Sequence, residues 1–256
     1  MGSLRALLAE RRVLGTFLKI PRFEVVDLLA LAGFDFVVCD YEHAQMSLAD
    51  ACDIVRAGRG RGLPVVVRVP ALDRGDVNRL LEAGASGIQL ARGSGAAAQG
   101  LRELVSYAPE GTRSVSLAQP AADYGTGTTL VEHLARSNRE VVAVGQFETA
   151  DYTDGIDAAM AALDVAFIGP VDLSVDLGTP GRLDSPVMQE ATSTVLRAAE
   201  RAGIPAGIFA GSVAAVDAAW GQGFRYVVAG SDTAMLAAGA ASLRPASMRG
   251  QGAEPH

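Results

Sequence analysis

At 256 residues, the chain has the length of one (β/α)8 barrel and enough residues to bury a large single core. A net charge of −7 and a pI near 5.0 argue against a nucleic-acid partner, and although 49% of the residues are hydrophobic, no run of about eighteen uncharged apolar residues is present to span a membrane. Two cysteines, Cys39 and Cys52, are too few for a disulfide framework and lack metal-site spacing, and the opening MGSLRALLAERR has no apolar signal core, so a reduced, cytoplasmic chain is expected.

Strand and helix signals alternate along the chain. A strand over 13–20 leads to a helix over 22–32 closed by Gly33, then an apolar strand over 36–39 and a helix over about 47–56. A third strand, PVVVRV at 64–69, precedes a helix over 73–83 stopped by Gly84; a weaker fourth at 87–90 precedes a helix over 96–107. The stretch 109–129 is rich in Gly, Pro, Ser and Thr and too long for an ordinary connection, so it reads as an excursion followed by an extra helix over about 130–137. VVAVGQFE at 141–148 and VAFI at 165–168 are the fifth and sixth strands, with a helix over 155–163 between them. A long helix over 186–202, a strand over 206–209, a helix over 213–221, a strand over 226–229 and a helix over 232–243 complete the series. Eight such units favour one closed parallel barrel domain, residues 1–248, over an open doubly wound sheet, with a disordered tail over 249–256. No GxGxxG or GxxxxGK[ST] follows any strand.

In a (β/α)8 barrel the site is built where strands end, so the polar residues at those ends matter most. The sixth strand breaks at Gly169-Pro170 and leads to Asp172, which either caps the next helix or faces a ligand. The fifth strand also ends in an acid, Glu148. Neighbouring strands lie ~4.8 Å apart, so the two acids can share one divalent cation. The second strand ends in Asp40, Tyr41, Glu42 and His43. A histidine there is either an exposed loop residue or an acid–base dyad with Asp40. Arg68, after three valines, either snorkels to the rim or pairs with a buried anion. His133 is expected at the surface and the lone Trp220 in the core. The only lysine is Lys19, at the end of the first strand.

DYEHA at 40–44, VVRVP at 66–70, QFET at 146–149 and FIGPVDLSVDLG at 167–178 resemble the HpcH/HpaI family of metal-dependent pyruvate aldolases. AGFDFVVCD at 32–40, YAPEGTR at 107–113, ADYG at 122–125 and GSDTAML at 230–236 extend the resemblance over about residues 12–245. It implies a barrel of the phosphoenolpyruvate/pyruvate type in which Glu148 and Asp172 ligate Mg²⁺, Mn²⁺ or Co²⁺. It further implies His43 as the base supported by Asp40, Arg68 at the substrate's keto oxygen, and Gln146 lining the metal pocket. The backbone N–H groups of Val171 and Asp172, after Gly169-Pro170, would hold the substrate carboxylate. The partners implied are a 2-oxo acid, an aldehyde and further copies of the chain in a trimer or hexamer. The last helix would pack on a neighbour, and Glu82 is the match to an acid that reaches a neighbour's histidine.

Three positions depart from the family pattern near the expected mouth: Tyr41 where a small residue is usual, Ala91 in place of proline, and Ser114 in place of glycine. They point to a distinct substrate rather than distinct chemistry. The implied reaction cleaves or forms a 4-hydroxy-2-oxo acid through pyruvate enolate. The alternatives are a related lyase or synthase acting on citrate or acyl-CoA thioesters, or an inactive binding barrel. A Schiff-base route would depend on Lys19 alone.

Overall fold

Apolar runs without alternation are what parallel strands covered on both faces require. In the computed structural model, which describes residues 3–245, the strands close into a parallel barrel in sequential order. The elements are α1 (Leu4–Glu10), β1 (Val13–Leu18), α2 (Phe23–Leu31), β2 (Phe36–Asp40), α3 (Leu48–Arg61), β3 (Val65–Val69), α4 (Arg74–Ala83), β4 (Gly87–Leu90) and α5 (Ala96–Val105). After a 3₁₀ turn (Pro120–Gly125) come α6 (Leu130–Glu140), β5 (Val142–Phe147), α7 (Ile156–Ala162), β6 (Val165–Ile168), α8 (Pro170–Asp176) and α9 (Pro186–Ala202). β7 (Ala206–Ala210), α10 (Val213–Gln222), β8 (Tyr226–Ser231) and α11 (Asp232–Ser242) follow. The pairing of Gly15 with Phe36 on one side and with Val228 on the other closes the ring.

Strand side chains alternate between two cores. In β3, Val65, Val67 and Val69 pack outward beneath the helices, while Val66 joins Phe36, Val144, Phe167, Tyr226 and Val228 inside the barrel. A Cβ on Gly207 would lie 2.7 Å from Tyr226 and 3.1 Å from Phe167, so glycine there leaves room for the two rings. The outer core is closed by apolar helix stripes such as Val77, Leu80 and Leu81 of α4. No helix among the described residues is long and apolar enough to cross a membrane.

Four features differ from the sequence expectations. α1, not foreseen, sends Leu4 and Leu8 into the interior core, and Arg225, just before β8, donates to its Leu8 carbonyl at 2.7 Å. α3 runs on to Arg61 because Gly58 is buried against β3 and the left-handed cap falls at Gly62 (φ 67°). α8 begins at Pro170, a proline that sits at a helix's first turn rather than in a loop. His133, expected at the surface, is 2% exposed: together with Ser137, one turn on, it forms the buried face of α6. Trp220 is half-buried against the outer core, with Arg12 over its ring. The tail 249–256 lies outside the described residues.

Candidate active site

Because every second side chain points inward, the last inward positions of the strands crown the barrel's carboxyl end. Asp40 and Arg68 are register partners across β2 and β3. Arg68 donates from Nε to Asp40 Oδ1 at 2.9 Å and from Nη2 to Oδ2 at 2.8 Å, a two-point fork. Both groups are buried, so of the two alternatives for Arg68 the buried pair is the one found. The Arg68 guanidinium lies 4.5 Å from the centre of the Phe17 ring, and Lys19 Nζ lies 2.7 Å from Asp40 Oδ2. Burial alone would raise the Asp40 pKa; the hydrogen bonds and charge of Arg68, with Lys19, outweigh it and hold the carboxyl at about 2.

The Asp40–His43 dyad is not formed. Asp40 spends its oxygens on Arg68 and Lys19, and meets His43 only at the backbone, accepting from its N–H at 3.1 Å. The exposed imidazole instead has Nε2 3.6 Å from Glu42 Oε2. The cause is positional: Asp40 is the last residue of β2 and points inward, whereas His43 stands in the turn above it. Glu42 Oε2 also lies 3.3 Å from Arg68 Nε, yet it is buried without a hydrogen-bond partner. Burial pushes the Glu42 pKa up; the Arg68 and His43 charges oppose the rise, and the Glu148 and Asp40 charges add to it.

Glu148 follows β5 and is 6% exposed. Gln146 Nε2 donates to its Oε2, and the backbone N–H of Arg92 donates to its Oε1 at 2.7 Å. Gln146 in turn accepts from Gln89 Nε2 at 2.6 Å, so a line of amides from β4 to β5 orients the carboxylate. Arg92 takes a left-handed backbone (φ 49°), uncommon for a residue with a side chain, and so turns its N–H onto Glu148. A Cβ on Gly169 would come within 3.0 Å of Glu148 Oε2 and Gln146 Nε2; glycine lets the chain pass there on its way into α8.

Asp172 occupies the first turn of α8 but does not cap it, since Gly169 holds the N-cap position. It stands exposed at a cavity of about 190 Å³ with Lys19, His43, Arg68, Gln146 and Val171. That volume is below the ~300–1,000 Å³ of pockets for drug-sized ligands and suits a small molecule. No cluster of three or more metal-binding side chains exists among the described residues. The carboxylates of Glu148 and Asp172 nonetheless fit a hard divalent cation that takes one or two protein carboxylates and fills its sphere with water and substrate oxygens. Glu42 Oε2, buried without a hydrogen-bond partner and within the field of Glu148, is a further acceptor that a cation would suit.

Residues 14–238 match the HpcH/HpaI aldolase/citrate lyase family. The chain belongs to that family. The hydroxypyruvate/pyruvate aldolase of Rhizorhabdus wittichii is 32% identical over 94% of this chain and 96% of the relative. A 5-keto-4-deoxy-D-glucarate aldolase of Shigella dysenteriae is 31% identical over 90% of this chain and 91% of its own. The crystal structure of an HpcH/HpaI aldolase from Desulfitobacterium hafniense superposes with a TM-score of 0.88 at 29% identity, over 94% of this chain and 95% of that one. The protein is thus an enzyme of the aldolase/lyase type on a (β/α)8 barrel.

Within this HpcH/HpaI chain the three departures fall in different places. Tyr41 turns outward and donates to Asp76 of α4 at 3.2 Å, so it does not narrow the cavity. Ala91 continues the ladder, its N–H donating to the Val69 carbonyl at 3.0 Å, and leads into the Arg92 turn. Ser114 lies away from the mouth, accepting from Arg74 on the outside of the barrel. Two residues unmarked in the sequence prove structural to the site. Gln89 starts the amide line, and Asp232 accepts from the N–H groups of Lys19 and Ile20 at 2.8–3.0 Å, tying the start of α11 to the end of β1.

Proposed function

We propose that the protein is a divalent-metal-dependent pyruvate aldolase that cleaves or forms 4-hydroxy-2-oxo acids. The observation that carries this reading is the placing of Glu148, held by Gln146 and the Arg92 amide, against Gly169 in the segment that presents Asp172. Glu148 and Asp172 would hold Mg²⁺, Mn²⁺ or Co²⁺. When bound, such an ion supplies Lewis-acid polarisation of a 2-oxo acid's carbonyl.

The residues of the chain supply the rest. The first-turn N–H groups of Val171 and Asp172 have no partner within α8 and suit the substrate carboxylate. Arg68 spends Nε and Nη2 on Asp40, which leaves Nη1 for the oxygen that gains charge as the enolate forms. In the cleavage direction, His43 accepts the proton of the 4-hydroxyl as the C3–C4 bond breaks; the electron pair passes to the pyruvate enolate and the aldehyde departs. The proton taken by His43, passed back directly or through water, then adds at C3, which completes pyruvate and restores the base. Lys19 holds an ion pair with Asp40 that a Schiff-base amine would have to give up. The exposed Met235 and Leu236 of α11 suit its burial against a neighbouring copy in a trimer or hexamer.

The reading is tested by pyruvate release from 4-hydroxy-2-oxo acids, with and without added Mg²⁺, Mn²⁺ or Co²⁺; no cleavage of any such acid in the presence of metal would count against it. Two variants probe the roles. Arg68→Lys keeps a charge but loses the planar fork, and should lower kcat by roughly 10²-fold while unfolding shifts far less. If it instead unfolds the protein with activity per folded molecule unchanged, Arg68 serves only as a structural partner of Asp40. His43→Ala should slow turnover by roughly 10²-fold, the low end for a general base because the ring is open to water. Unchanged kcat across the pH range would remove His43 from the reaction.

A further inference from the structure

A second cavity, sharing no residue with the first, lies at the amino ends of β3, β4 and β5, under the excursion and α6. It measures about 390 Å³ and is bordered by Arg59, Arg113, Asp123, His133, Arg136 and Glu140. Arg113 is 6% exposed; its guanidinium stacks over the Tyr107 ring at 4.5 Å and Nη1 donates to Ser137 Oγ at 2.9 Å. Its Nε and Nη2 are buried with no partner among the described residues, and neither is His133 Nδ1 partnered. His133 Nε2 lies 3.3 Å from both Tyr107 Oη and Gln119 Nε2.

Of the acids on the wall, Asp123 is paired with Arg59. On the wall three arginines therefore face two carboxylates, and the most deeply buried guanidinium makes no ion pair, Glu82 acting on it only from beyond contact distance. Two unmet donors in one buried cation are costly to keep, so the fold gains wherever an acceptor arrives. Burial lowers the Arg113 pKa against the opposing pull of Tyr107 and Glu82, and burial with the Arg113 and Arg136 charges lowers that of His133. Nε and Nη2 form the edge of a guanidinium that matches two oxygens of one anion. We propose that this cavity binds a small oxyanion, a phosphate or a carboxylate, bidentately on Nε and Nη2 of Arg113, at the end of the barrel opposite the catalytic mouth.

The chain's three histidines make the site readable, because His133 reports on this cavity and His43 on the mouth. With the histidines isotopically labelled in the full chain, inorganic phosphate titrated at constant ionic strength should shift the His133 resonances saturably and leave those of His43 in place. A parallel titration with malonate tells a phosphate site from a carboxylate site by which anion binds more tightly. Arg113→Lys, which loses the fork, should weaken phosphate binding by about 10–100-fold. Arg59→Gln, at an exposed position, should weaken it by about two- to fivefold. No saturable shift of His133 with either anion, shifts confined to His43, or unchanged binding at His133 in either folded variant would overturn the proposal. None of these outcomes bears on the aldolase reading.

Discussion

Asp172→Ala is expected to remove nearly all pyruvate-forming activity and leave the fold intact. The side chain is exposed, in the first turn of the short helix α8, and adds nothing to either core. Stability should therefore move by no more than about 0.5 kcal/mol, the usual scale of a surface change. Catalysis has no such tolerance. With Asp172 gone, Glu148 alone would face the cation, and the loss should be at least the roughly 10²–10³-fold that follows removal of one electrostatic stabiliser. Steady-state rates with saturating Mg²⁺, set beside urea unfolding and a Mn²⁺ titration, separate these effects. A fully active Asp172→Ala enzyme in chelator-treated buffer would remove Asp172 from the metal site.

Asp40→Ala should have the opposite signature, a large loss of stability. Asp40 is fully buried and takes two bonds from Arg68 and one from Lys19, so its removal strands a buried guanidinium. Breaking such a pair costs about 3–5 kcal/mol, or roughly 6–20 °C in Tm for a chain of this size. The same carboxylate sets an acid limb. Its pKa falls from the ordinary 3.8 to about 2 in the folded protein. Because the folded value is depressed, the stabilisation is present above about 4, is lost as pH falls through the window down to about 2, and amounts to about 2 kcal/mol. Differential scanning calorimetry at neutral pH, with urea unfolding from pH 7 to pH 3, reads both. A Tm within a degree or two of the unaltered protein would show that Arg68 finds another partner.

The barrel was legible because its determinants are local. Apolar runs, glycine stops and capping residues such as Ser47 before α3 mark each unit, and eight units leave little choice of topology. What escaped was set by contacts distant in sequence. α1 owes its place to the hole it fills at the barrel's end, and His133 its burial to Tyr107, just after α5, and to Gln119, which the excursion brings over it.

The placement of the candidate site's carboxylates and arginine at the barrel's carboxyl end was legible, and their pairings less so. Period-two alternation from Val66 already places Arg68 inside, with Asp40 as the inward end of the strand beside it. That parity gives Asp40 to Arg68, while closeness in sequence had suggested His43. The amide line from Gln89 through Gln146 to Glu148 spans two strands joined only through a long excursion, and the left-handed turn at Arg92 carries no glycine to announce it. Inward parity at Gln89, a polar residue two positions after Gly87 on β4, was the one available signal.

Exchange of pyruvate's methyl protons with D₂O, followed by proton NMR, tests the central claim most directly, since it needs neither the true aldehyde nor the physiological direction. If Arg68 and a cation held by Glu148 and Asp172 stabilise the enolate, pyruvate alone should lose its methyl signal in the presence of enzyme and Mg²⁺, Mn²⁺ or Co²⁺. The exchange should stop with EDTA, and borohydride with pyruvate should leave the enzyme active because no imine forms on Lys19. Exchange that survives EDTA, or inactivation by borohydride, would contradict the metal-dependent account; absence of exchange with metal present would contradict the pyruvate enolate itself.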